Sequence, residues 1–282
     1  MIIKKNNTLL SEAKKPIVYD VYFKPSSAPK PIVIFAHGYK GFKDWGAWEL
    51  VAESFAKAGF IFLKFNFSHN GGTTDQPIDF PDLEAFANNN YSIELDDLNR
   101  VVDYITSENR FSKEINSEKI NLIGHSRGGG IVMVQAEEDV RISSVTTWAG
   151  VSDFKARFQE GTKEFDSWLT SGVTHIENSR TKQQLPHYLQ FFLDFQENEH
   201  RLTIKRAVLN LSKPQLIIHG RADITVSINE AIDINKWNPA SKLEIINEAD
   251  HVFGSKHPWR EKQLPQNLQQ AVDFTLTFLN RL

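Results

Sequence analysis

Residues 119–134 read KINLIGHSRGGGIVMV. The opening KINLI is a short apolar run, which suits a buried strand of a parallel sheet. The run GGIVMVQAEE, residues 129–138, reads as a helix. Between them Gly124-His125-Ser126-Arg127-Gly128 matches G-x-S-x-G. The five residues alone say little, but a strand before and a helix after are the setting of a nucleophile elbow. A turn that tight brings neighbouring Cβ atoms into collision, so glycine is needed at its flanks. Ser126 would then stand at a strained bend with its hydroxyl above the sheet. The helix N-terminus behind it favours a developing negative charge.

Outward from this motif, short apolar runs alternate with longer helical patterns. Strands are expected at Ile17 to Phe23, Pro31 to Ala36, Phe60 to Phe67, Lys119 to Ile123, Ile142 to Ala149, Pro214 to His219 and Lys242 to Asn247. Helices are expected at Trp48 to Lys57, Tyr91 to Glu108, the stretch after Ser126, Ile228 to Lys236 and Gln263 to Arg281. Strands alternating with helices predict an α/β fold with a mostly parallel sheet covered on both faces. Ser68 to Asn90 is polar, with Gly71-Gly72, Pro77 and Pro81, and reads as a long loop. The rhythm lapses over residues 153–212. The expected organisation is a core of residues 1–152 and 213–282 with 153–212 as an insertion above it.

A serine hydroxyl needs a base to take its proton and an acid to orient that base. In the elbow architecture these follow in the order serine, acid, histidine. Asp223, in HGRADITV, comes directly after the strand Pro214 to His219. His251, in NEADHVFG, comes just after Lys242 to Asn247. Both loops face the crevice at the carboxyl ends of the strands, where parallel sheets place their sites. Asp250 adjoins His251, but adjacent side chains diverge, so it is the poorer orienter. His257 is a competing base, though it lies further from a strand end and reads better as a loop histidine. The oxyanion donors expected are the backbone N–H groups of Tyr39, in the loop after PIVIFA, and of Arg127. His37 reads as a brace for that loop.

The chain has 282 residues, 32 of them basic and 35 acidic, for a formal charge of −3. That balance argues against a nucleic-acid partner, which needs a basic surplus on one face. With 40% apolar and 24% charged residues, gross disorder is excluded. There is no cysteine, so disulfides, thiolate nucleophiles and thiolate metal sites are excluded. The N-terminus MIIKKNNTLLSEAKK lacks a signal-peptide pattern, and no stretch of membrane-spanning length occurs, so a cytoplasmic location is expected. His69, Asp75, Asp79 and Asp82 read more readily as solvated loop residues than as metal ligands.

HGYKGFKDW, GHSRGGG, HGRADITV and ADHVFG, spread over residues 37–254, resemble in kind and order the motifs of the α/β-hydrolase superfamily. The likeness is to the branch grouping small bacterial cinnamoyl and feruloyl esterases with prolyl-oligopeptidase-like peptidases. It implies a sheet of about eight strands flanked by helices, with a helical cap between the sixth and seventh. It also implies a triad of Ser126, Asp223 and His251, oxyanion donors at Tyr39 and Arg127, a small-molecule ester substrate, and no metal or organic cofactor. Cap sequences of this family diverge, so no substrate residue carries over. Phe158, Phe165, Trp168, Phe191, Phe192 and Phe195 suit the cap's own core as well as a pocket wall. Arg157, Arg180 and Arg201 could bind a carboxylate or simply be solvated. A carboxylesterase leads. A peptidase or amidase, an acyltransferase and a non-catalytic binding protein are the alternatives. Ser126 at the elbow excludes the aspartate-dependent dehalogenases and epoxide hydrolases.

Overall fold

The computed structural model describes residues 1–107 and 109–282. Two antiparallel strands, β1 (Ile2–Ser11) and β2 (Lys14–Phe23), begin the chain. Next come β3 (Lys30–Ala36), α1 (Trp48–Lys57) and β4 (Ile61–Phe65). A short α2 (Leu83–Ala87) precedes the long α3 (Tyr91–Thr106). The elbow region follows as β5 (Ile115–His125) and α4 (Arg127–Glu138), then β6 (Ile142–Trp148). The stretch after β6 holds α5 (Lys163–Ser171), β7 (Val173–Glu177), β8 (Gln184–Tyr188), α6 (Gln190–Glu197), α7 (Glu199–Leu202) and α8 (Ile204–Asn210). The chain returns to the sheet as β9 (Gln215–Gly220), α9 (Ile228–Trp237), β10 (Lys242–Ile246) and α10 (Gln266–Leu279).

The main sheet has eight strands in the order β1-β2-β4-β3-β5-β6-β9-β10. From β4 to β10 all neighbours are parallel; β2 joins β4 antiparallel. Side chains alternate across it. Ile32, Ile34 and Ala36 face the core that includes α3, α4, α8 and α9, while Val33 and Phe35 face α1 and α10. This is the expected α/β architecture with both faces covered.

Three features were not legible beforehand. β1 lies in the polar run KKNNT, mostly exposed at the sheet's edge, where charged side chains hinder further strand pairing. α2 interrupts the expected loop 68–90, its N-terminus capped by Asp82, which accepts a hydrogen bond from the Ala85 N–H. Residues 153–212 add no strand to the main sheet, but besides helices they contain the antiparallel hairpin β7–β8. The expected helix Tyr91 to Glu108 is α3, and its final residue Glu108 lies outside the described residues.

Candidate active site

Ser126 sits between β5 and α4 with φ 55° and ψ −120°. A left-handed φ is rare outside glycine and marks a strained, over-determined position. The neighbours explain how it is held. A Cβ at Gly124 would overlap the Gly128 carbonyl, and one at Gly128 the Ala36 carbonyl. Strand, turn and helix therefore touch backbone to backbone. The Ser126 N–H donates to the Trp148 carbonyl at 3.0 Å, and its own carbonyl accepts from Gly129 at 2.9 Å and Val151 at 3.2 Å.

Because β5, β6, β9 and β10 run parallel and adjacent, the loops leaving β5, β9 and β10 meet at one edge. Asp223 is fixed there by the Thr225 and Val226 N–H groups, which donate to Oδ1 at 2.8 and 2.9 Å. Its Oδ2 accepts from His251 Nδ1 at 2.8 Å. With its proton on Nδ1, His251 turns a bare Nε2 to the Ser126 hydroxyl, 3.0 Å away. Burial raises the Asp223 pKa, but the nearby His219 ring and the hydrogen bonds from His251 and the Val226 N–H outweigh it and hold the carboxyl well below the usual range. Asp250 takes no part. Its Oδ1 accepts from the Val252 and Gly254 N–H groups and shapes the loop. His257 instead accepts from the Gly46 N–H at 3.0 Å.

Two further histidines brace this group. His125 Nε2 donates to the His251 carbonyl at 2.8 Å, and burial lowers its pKa to about 3, so it is neutral. His219 Nε2 donates to the Val226 carbonyl at 2.9 Å and lies 3.4 Å from Asp223 Oδ2. The four-residue spacing of His219 and Asp223 was the only sequence signal for the second. His37 braces its loop as expected, with Nδ1 donating to Gly38 O and Nε2 accepting from the Phe67 N–H.

Neither the Tyr39 nor the Arg127 N–H donates to a protein acceptor among the described residues. The Arg127 side chain does more than sequence reasoning foresaw. It pairs with buried Glu94 at 3.4 Å. Its guanidinium carbon lies 4.3, 5.3 and 5.2 Å from the ring centres of Tyr39, Tyr91 and Phe191. The Tyr39 hydroxyl donates to His187 Nε2 at 2.6 Å. Burial lowers the His187 pKa to about 3, with Arg127 adding to the effect. Glu94 and His187 belong to no motif, and nothing in the sequence singled them out.

Two cavities meet at Ser126. One of about 460 Å³ lies under residues 153–212, walled by Phe154, Phe158, Phe165, Trp168 and Phe191, with Arg127 also in its lining. Phe158 and Phe191 thus serve both as pocket wall and as core, while Phe192 and Phe195 pack inward. The other, about 260 Å³, lies on the His251 side. Of the three arginines considered, Arg157 lines the larger cavity bonded to Glu230, Arg180 lines the smaller one bonded to Asp79, and Arg201 pairs with Glu138 away from both. No cluster of three potential metal ligands occurs among the described residues. Likewise, no described helix is long and apolar enough to cross a membrane.

A profile of the α/β hydrolase fold family matches residues 31–207. No curated protein matches the chain at a significant level. Among solved structures, Est1E from Butyrivibrio proteoclasticus, also determined with ferulic acid bound, superposes with a TM-score of 0.72 at 18% identity, covering 97% of this chain and 98% of that one. The esterase domain of a Rhodothermus marinus protein gives 0.69 at 18% identity, covering 100% and 99%. A puromycin-hydrolyzing peptidase of Mycobacterium tuberculosis gives 0.65 at 16%, covering 95% of this chain and 37% of that chain.

Proposed function

The chain belongs to the α/β hydrolase fold family, and on that premise we propose that it is a serine carboxylesterase cleaving small to medium carboxylic esters. One observation carries the reading: Ser126 Oγ, His251 Nε2, His251 Nδ1 and Asp223 Oδ2 form an unbroken hydrogen-bonded line, at 3.0 and 2.8 Å, where two cavities meet.

His251 takes the Ser126 proton as Oγ attacks the ester carbonyl. Asp223 holds the imidazole in the productive tautomer and stabilises the imidazolium. The carbonyl oxygen, now an oxyanion, accepts from the Tyr39 and Arg127 N–H groups, each worth about 3 kcal/mol to the transition state. The bond to the leaving oxygen breaks, and His251 Nε2 returns its proton to that oxygen. Water, deprotonated by His251, then attacks the acyl-enzyme, and Ser126 is restored. No group beyond these residues and water is required. Residues 153–212 act as the cap that shapes the substrate site.

The test is fluorophosphonate labelling of wild type and Ser126→Ala, beside turnover of p-nitrophenyl esters, methyl ferulate and an aminoacyl-p-nitroanilide. Labelling that disappears in the variant, with ester turnover, is expected. Anilide cleavage faster than ester cleavage would move the assignment to a peptidase. Absence of label on folded wild-type protein would sink the triad.

A further inference from the structure

The two cavities at Ser126 differ in charge. The larger is mostly aromatic, and its Arg127 is already matched by Glu94. Lining the smaller are His37, Lys40, Trp45, Arg180, His251 and His257 among others, and no carboxylate among the described residues. Arg180 is matched by Asp79. His37 is neutral, its pKa lowered by burial to about 4. Lys40 is different. It is half-buried, directly after Tyr39, with its Nζ 5.4 Å from the Tyr39 ring centre. Among the described residues no carboxylate pairs with it, and burial acts on it unopposed. Half-burying an ammonium without a partner is costly, and proteins ordinarily pair such a group.

The mechanism decides which part of a substrate meets Lys40. The leaving oxygen must come within hydrogen-bond reach of His251 Nε2, because that nitrogen protonates it. His251 and Val252 line the smaller cavity and not the larger. The departing alcohol therefore occupies the smaller cavity, and the acyl part extends under residues 153–212.

Resting on the esterase reading, we propose that the smaller cavity is a leaving-group site in which Lys40 binds a carboxylate carried by the departing alcohol, so that the preferred substrates are esters of hydroxy acids. A single uncompensated cation matches a monoanion rather than a phosphate dianion.

The product alcohol tests this without catalysis. Calorimetry on Ser126→Ala would compare meta-hydroxybenzoate with its neutral isostere meta-hydroxybenzamide. The carboxylate should bind about tenfold more tightly, the worth of one charged hydrogen bond, and the margin should shrink with added salt. Ser126→Ala/Lys40→Gln should lose the margin and Ser126→Ala/Lys40→Arg keep most of it. In wild type the butanoyl ester of the benzoate should show a similar kcat/KM advantage over that of the benzamide, expressed in KM. Equal binding of the two alcohols, or a margin that survives Lys40→Gln, overturns the proposal. Selective binding by a protein that no fluorophosphonate labels would support the carboxylate site while overturning the ester reading beneath it.

Discussion

The sheet edge and the segment between β6 and β9 both bound the larger cavity, yet they are held by different means. At the edge, backbone meets backbone: Gly124 against Gly128, Gly128 against Ala36, and Asp223 gripped by two successive N–H groups. In the segment, side chains meet side chains. Phe158 touches the rings of Tyr91, Trp168, Phe191, Phe192 and Phe195, at centre distances of 5.1 to 6.3 Å. Backbone contacts leave almost no alternative geometry, whereas packed rings can be exchanged if volume and apolarity are kept. On the proposed esterase reading, the difference puts chemistry at the edge and substrate choice in the segment.

The contrast is sharpest at Ser126. Ser126→Ala should lower kcat/KM about a millionfold with little change in folding, as read by ester turnover and circular dichroism. Asp223→Asn comes next. It leaves the ring in place but favours the wrong tautomer, so turnover should fall about ten-thousandfold. A change in either below a hundredfold would break the assignment of chemistry to the edge.

Within the segment the effects should be smaller and of another kind. Phe191→Ala enlarges the acyl cavity and should shift the preference between p-nitrophenyl acetate and octanoate by about tenfold or more toward the longer chain. Loss of all activity instead would mean that the segment also sets the chemistry. Acid should act on both regions. His37 and His125 at the edge and His187 in the segment stay neutral when folded, with pKa values of about 4, 3 and 3. Unfolded, each takes up a proton near pH 6.5. Stability is therefore retained above about pH 6.5 and lost as pH falls toward about 4, each histidine contributing up to roughly 1.4 kcal/mol per unit. Urea midpoints at several pH values would show this slope, and His125→Gln should flatten it. Smallest of all, Leu193→Ser should change stability by less than about 0.5 kcal/mol and leave turnover intact, since Leu193 is 51% exposed on the outer face of α6.

The elements that carry the site were legible because their signals are local. PIVIFA is a continuous apolar stretch, KINLI and the run before His219 are mostly apolar, and they form β3, β5 and β9. β1 was not legible, since an edge strand half open to water need not be apolar. The hairpin β7–β8 was hidden for a similar reason, with His175, Ile176 and Glu177 of β7 exposed. Asp223 and His251 were legible from their place after strands; nothing in the sequence assigned His125 or His219 the bonds that steady them.

By itself the sequence determined the α/β class, the elbow at Ser126 and the loops that carry Asp223 and His251. These follow from periodicity and from glycines spaced within one turn, which act over a few residues. Only the tertiary structure decided that Glu94 neutralises Arg127, that His187 reaches Tyr39 across 148 positions, and that among the described residues no carboxylate pairs with Lys40. Charge balance inside a cavity depends on which distant side chains arrive there together, and that is a property of packing in three dimensions.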